Sequence, residues 1–186
     1  MQVKIILILL TFGGFAQIHG DFAQEALKMH NEFRGFHGCP ALSLDQDLST
    51  ACEEYAKTLS IKGVIESSSL DGYTENLCIT RLKPVDCITN WYNERVMHDY
   101  SAPRLNSETE HFTALIWKAS TKLGIGLFSK DETHYVVARY KPKGNIISEF
   151  KENVPVAKGK ADRSTSFGFG ILFLVSVLIQ LFLDQF

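Results

Sequence analysis

An α+β fold is predicted by the order of two patterns along the chain. Apolar residues recur at helical spacing through 21–59 and 85–96. Two strand-like runs follow, LGIGLFS (123–129) and HYVVARYKP (134–142), split by the polar Lys130, Asp131 and Glu132. Helices grouped ahead of a paired sheet imply segregated α and β layers. The length of 186 residues suits one compact domain, and 45% hydrophobic with 22% charged residues is a globular balance. A formal net charge of -2 leaves no basic surplus, so nucleic acid is excluded as a partner class.

The first helical pattern carries Phe22, Ala26, Met29, His30 and Phe33, and Gly35, Gly38 and Pro40 close it. The second carries Leu48, Ala51, Cys52, Tyr55, Ala56 and Leu59, with Asp45 or Asp47 near its start. Residues 60–76 are rich in Ser and Gly and read as a loop. Pro84 suits a first helical turn, and Val85, Ile88, Trp91, Tyr92 and Val96 trace a third helix behind it. A short helix is expected over 110–119, and 145–156 is a less regular tail.

Both ends of the chain read as addresses. In residues 1–20, Lys4 precedes an apolar run and small residues follow, the anatomy of a signal peptide cleaved after Gly20 or Ala16. Residues 167–183 form a second apolar run of 17, followed only by Asp184, Gln185 and Phe186. That length is at the lower edge of a membrane span, and no Lys or Arg lies beyond it to mark a stop-transfer helix. A polar spacer over 151–166 precedes the run. This is the layout of a GPI-attachment signal, with Gly159, Ala161 and Ser164 as candidate attachment residues. A single-pass transmembrane helix and a soluble secreted product are the alternatives. The folded domain is expected over 21–150 and the hydrophobic tail over 167–186. No Asn-x-Ser/Thr sequon is present.

Cys39, Cys52, Cys78 and Cys87 all lie in the central region. An even count in an oxidising compartment points to two disulfides, and short separation favours Cys39 with Cys52 and Cys78 with Cys87 among the three pairings. No two of them have the close spacing of a structural zinc site.

Several motifs resemble the CAP superfamily of cysteine-rich secretory, antigen-5 and pathogenesis-related-1 proteins. HNEFRGFHGCPAL (30–42) resembles the family's opening helix, LSTACEEYAKTL (48–59) its second helix and WYNE (91–94) its next. TENL (74–77) resembles the family's Gly-Glu-Asn-Leu, with Thr74 in the glycine's place. EHFTALIW (110–117) fits the first family signature. YVVARYKPKGNI (135–146) resembles the second, with Ala138 where secreted members usually carry cysteine. The closest likeness is to the Golgi-associated pathogenesis-related subgroup. The resemblance implies an α-β-α three-layer sandwich around a central antiparallel sheet.

The family's cavity holds two His and two Glu. The matching positions here are Glu75, Glu94 and His111. The second His should fall near Gly63, and no His occurs anywhere between His37 and His98. One imidazole with two carboxylates makes a weaker, more oxygen-rich site for a divalent metal such as zinc. His98, four residues after Glu94, would share its helix face and could complete a ligand set of His111, His98 and Glu94. His111 beside two carboxylates could also serve as a general base. No Ser or Thr has a spacing that marks a nucleophile, and Gly-x-Ser-x-Gly is absent. Buried charges need partners in any case, so the same residues suit a stabilising polar network. His30 and His37 suit packing and capping, and most of the aromatic residues suit a core.

The reading that follows is a membrane-tethered extracellular domain without catalysis, binding a lipid or sterol or a protein partner. The loop CITRLKPVDCITN (78–90) lacks the aromatic residues that a sterol site would use, which weakens that particular transfer. A divergent metal-assisted hydrolase and a recognition module with a purely structural cavity are the alternatives.

Overall fold

Phe22, Ala26, His30 and Arg34 recur every four residues and all turn inward from one helix, α1, which runs through 21–36, and His37 is buried in the turn that follows. The computed structural model describes residues 21–158. The signal-peptide and tail expectations, including Gly159, Ala161 and Ser164, lie outside them. After α1 come β1 (Ser43–Leu44), α2 (Gln46–Lys62), β2 (Thr74–Thr80) and α3 (Asp86–Asn93). A 3-10 turn, Glu94–Met97, continues α3. Then follow α4 (Glu110–Ile116), β3 (Lys122–Lys130), β4 (Thr133–Lys141), a second 3-10 turn (Ile147–Glu149) and α5 (Phe150–Asn153).

The four strands form one sheet in the order β1-β3-β4-β2. β3 and β4 are a hairpin, turned at Asp131 with φ 53°, and β2 pairs antiparallel with β4. The sheet is mixed rather than wholly antiparallel, because the two-residue β1 pairs parallel with β3. A bridge that short has no periodicity to read.

Alternation along the strands divides the interior in two. Val136, Ala138 and Tyr140 face the larger core with Leu123, Ile125 and Leu127, under helices α1, α3 and α4. Tyr135 and Val137 face α2, which presents Cys52, Ala56 and Leu59 to them. The expected three layers are therefore present.

α2 lies directly on β3. An added Cβ at Gly124 would strike Leu48, and one at Gly126 would strike the backbone of Cys52 and Glu53. Asp45 caps the start of α2, its carboxylate accepting the Leu48 N–H at 3.0 Å. Gly63 ends it in the left-handed conformation, φ 70°, with its N–H on the Leu59 carbonyl.

The division of the core corrects the cysteine expectation. Cys78 and Cys87 form a disulfide with Cα atoms 6.0 Å apart, joining β2 to the first turn of α3. Cys39 and Cys52 are separate buried thiols. Cys39 packs in the larger core and Cys52 in the α2 layer, with the sheet between those layers. Burial raises both thiol pKa values, that of Cys52 to about 12.

α5 packs on the larger core, with Phe150, Asn153 and Val154 buried. Asn153 holds the segment, its carbonyl accepting the Lys118 N–H and its Oδ1 the Ala119 N–H, both at 3.0 Å.

His30 shows how the larger core treats a titratable group. Its Nδ1 lies 2.7 Å from the Ala26 carbonyl, which can only accept, so Nδ1 carries the proton. Nε2 then accepts from the Tyr140 hydroxyl at 3.0 Å. Burial, the largest influence, lowers the His30 pKa from 6.5 to about 4.

Two outcomes are expected. Gly126→Ala should lower stability by about 1–3 kcal/mol in urea unfolding, because the obstructing atoms are backbone; an unchanged midpoint would refute the close approach of α2. Between pH 6.5 and about 4 the unfolded chain binds a proton at His30 that the folded chain refuses. Stability should therefore be highest above 6.5 and fall by up to about 3 kcal/mol from this group as the pH drops to 4. His37 and His98, also lowered by burial, act in the same direction. His30→Gln should flatten the slope measured by urea unfolding at pH 7 and pH 5.

Candidate functional site

α4 is only seven residues long, too short to hold itself. Thr109 stands at its N-cap position without a side-chain bond to the helix. Glu94, arriving from the 3-10 turn after α3, takes over that task. Its Oε2 accepts the N–H groups of His111 and Phe112, each at 3.1 Å, and its Oε1 accepts from His111 Nδ1 at 2.7 Å. Carboxylate, helix N-terminus and imidazole are thus joined, a favourable placement for a negative charge. Because Glu94 occupies Nδ1, Nε2 is the remaining basic atom of the ring. Among the described residues it has no hydrogen-bond partner, and the ring lies against Trp91 with 6.3 Å between centroids.

His111 lines a cleft of about 510 Å³. The opposite wall is the 63–73 segment between α2 and β2. Ile65, Leu70 and Leu105 supply apolar surface, and Ser67, Ser68, Glu110 and Lys143 supply polar surface. The lining therefore carries hydroxyls, both signs of charge and exposed aliphatic groups together.

Glu75 also lines this cleft, but its carboxylate is turned to β4 and the loop. Oε2 accepts from Arg139 Nε at 2.8 Å and from the Ser68 hydroxyl at 2.9 Å, and Oε1 accepts the Ser68 N–H at 2.9 Å. Arg139 and Glu75 are register partners on adjacent strands, with side chains 3% and 7% exposed.

Asn76, pointing to the other side of β2, supports α4 from below. Its Nδ2 donates to the His111 carbonyl at 3.0 Å and to the Tyr140 hydroxyl at 3.2 Å. A buried chain of hydrogen bonds thus runs from His30 through Tyr140 and Asn76 to the backbone of His111.

The structure therefore brings Glu94 and His111 together, and it places Glu75 with His111 in the lining of the cleft, where Glu94 is not found. His98 does not join them. α3 ends at Asn93, the following turn is 3-10, and His98 is extended with φ -80° and ψ 124°. The i,i+4 relation to Glu94 does not survive that change. The His98 ring packs on Tyr100 and Phe112 and lines a different cavity of about 30 Å³, where its buried Nε2 has no hydrogen-bond partner among the described residues. The position of the missing family histidine, Gly63, is the residue that ends α2.

These residues do not fit a zinc ion. Glu75 is held by a guanidinium, Glu94 is spent on a helix N-terminus and one imidazole, and His98 faces elsewhere. Among the described residues no three His, Cys, Asp or Glu side chains are grouped as a metal requires.

Arg139, Ser68 and Asn76 are the site residues that sequence reasoning missed. The alternation of HYVVARYKP placed an arginine inside an apolar strand, and a buried arginine calls for a partner. That was the available signal for Arg139. Nothing local marked Ser68.

Removing the Glu94 carboxylate strands two backbone N–H groups and the His111 Nδ1–H. Glu94→Ala should therefore cost about 1–3 kcal/mol in urea unfolding. Glu94→Gln, which keeps one acceptor oxygen, should cost less. Equal stability of all three proteins would show that α4 does not depend on this cap.

The family model of the cysteine-rich secretory protein family matches residues 27–140. The chain is 36% identical over 142 residues to the Golgi-associated plant pathogenesis-related protein 1 of Homo sapiens, covering 72% of this chain and 92% of that one. It is 31% identical over 134 residues to the secreted protein RBT4 of Candida albicans, covering 68% of this chain and 36% of that one. Among solved structures, one of NaASP2 with Zn2+ superposes with a TM-score of 0.54 at 17% identity, covering 75% of this chain and 87% of that one. The motifs, the layers and these likenesses agree: the chain belongs to the cysteine-rich secretory protein, or CAP, family.

Proposed function

We propose that this chain is an extracellular binding module. It enters the secretory pathway through residues 1–20 and stays at the outer face of the membrane through the apolar run 167–183. It holds a lipid or a protein partner in the cleft between α4 and the 63–73 segment. The observation that carries this reading is the commitment of Glu75 and Glu94, the two carboxylates of the family motifs, to the fold. Glu75 binds Arg139 and Ser68, and Glu94 binds α4 and His111. A cleft of about 510 Å³ with a mixed lining is left, a size and character suited to holding a ligand. The name of the secreted relative RBT4 and the disulfide support an oxidising, extracellular setting.

One observation favours a second reading. The Glu94–His111 pair, with Nε2 as its remaining basic nitrogen, is the arrangement of an oriented general base. A hydrolase would need this pair together with a nucleophile or a metal-activated water.

The test is to express the full chain in eukaryotic cells and treat them with phosphatidylinositol-specific phospholipase C. The released protein then goes to native mass spectrometry. Release together with a lipid-sized adduct, lost under harsher activation, is the expected result. Retention on the cells would favour a transmembrane helix, and protein already in the medium would refute tethering. A stoichiometric zinc adduct that disappears in His111→Ala would favour the hydrolase. A bare protein whose Glu75 and His111 variants change stability alone would make the cavity structural.

A further inference from the structure

The wall of the cleft formed by 63–73 has neither helix nor strand. Lys62–Glu66 and Lys143–Asp71 are exposed ion pairs on it, and its other ties converge on one buried ion pair. The Ser68 N–H and hydroxyl both donate to Glu75, and the Ser67 hydroxyl approaches the same carboxylate at 3.4 Å. The Ser68 hydroxyl also meets the Tyr73 hydroxyl at 3.1 Å, and the Tyr55 hydroxyl donates to the Glu66 carbonyl at 2.6 Å. Both of those tyrosine rings lie against the Arg139 guanidinium, at 4.6 Å for Tyr73 and 5.2 Å for Tyr55. Ile65 and Leu70, carried by the same strap, are 59% and 62% exposed and add no buried anchor. Ser69 is held at φ 54°, a conformation that a serine adopts at some cost.

A carboxylate offers about four lone-pair positions. Donors from Ser68 and Arg139 take three of those on Glu75, and Ser67 lies beside them. A divalent cation binding Glu75 would have to displace these donors and would sit next to a buried guanidinium. The two charges repel strongly in so dry a place.

We propose that Arg139 sets the ligand chemistry of the cleft. By holding Glu75 against Ser68 it ties the 63–73 strap to the sheet and keeps that carboxylate from divalent cations. A bound cation at Glu75 and a tied strap exclude each other. The inference concerns the strap and stands for any ligand of the cleft that leaves Glu75 uncoordinated.

The test uses the full chain and zinc alone, followed by equilibrium dialysis and by amide hydrogen exchange of residues 64–73. The wild type should retain no stoichiometric zinc, and zinc should leave exchange in the strap unchanged. Glu75→Gln should raise exchange across 64–73 at least ten-fold while β3 and β4 keep theirs. Should that variant fail to fold, Ser68→Ala, at the edge of the cleft, should raise strap exchange at least three-fold. The proposal is overturned by one zinc per chain that is lost in Glu75→Gln. It is equally overturned by strap exchange within two-fold of wild type in whichever variant folds.

Discussion

The arrangement depends on a buried arginine in α1. Arg34 is fully buried and donates to four backbone carbonyls, those of Pro40, Leu115, Trp117 and Ser120, at 2.8–3.0 Å. Burying a guanidinium is expensive, and these four bonds offset the expense. They also fix geometry. Leu115 and Trp117 lie at the C-terminal end of α4, where unpaired carbonyls and the helix dipole favour a cation. Ser120 stands just before β3. One side chain thus locates α1, the loop after it, α4 and the entry to the central hairpin.

The site depends on this clamp through α4. Seven residues of helix are secured at the C-terminal end by Arg34 and at the N-terminal end by Glu94, with Asn76 beneath holding the His111 carbonyl. His111 is therefore presented to the cleft by a helix whose two ends are both tied by charged groups. The opposite wall is tied by a third charged group, Glu75 with Arg139. The carboxylates of Glu75 and Glu94 are structural fasteners, and the cleft lining keeps the His111 imidazole beside the aliphatic surface of Ile65, Leu70 and Leu105.

Much of the fold was legible because it rests on local rules. The helical spacing of Phe22, Ala26, Met29, His30 and Phe33 predicts α1. Pro84 and the apolar spacing behind it predict α3, and the two apolar runs around Lys130, Asp131 and Glu132 predict the hairpin. Most of the misses share one cause. β1 is a bridge of two residues, the start of β2 over 74–76 and its end over 78–80 read as loop, as did the last turn of α2 over 60–62, and α4 stops at Ile116 rather than Ala119. In the strands and at the end of α4 a non-local partner decides the conformation. β3 does so for β1 and β4 for β2, while Arg34 takes the carbonyls that would otherwise have continued α4.

The site divides in the same way. Through its resemblance to the family, the sequence by itself implied that Glu75, Glu94 and His111 match the family's cavity positions and that the tetrad lacks a histidine near Gly63. Short separation favoured pairing Cys78 with Cys87, as it did Cys39 with Cys52. Only the tertiary structure decided that Arg139 claims Glu75, that His98 leaves its helix and turns to Phe112, and that Cys39 and Cys52 lie in different layers. Those outcomes depend on which face of a strand each side chain occupies and which helix lies over it. Strand register and layer packing set both, over separations that no local pattern encodes.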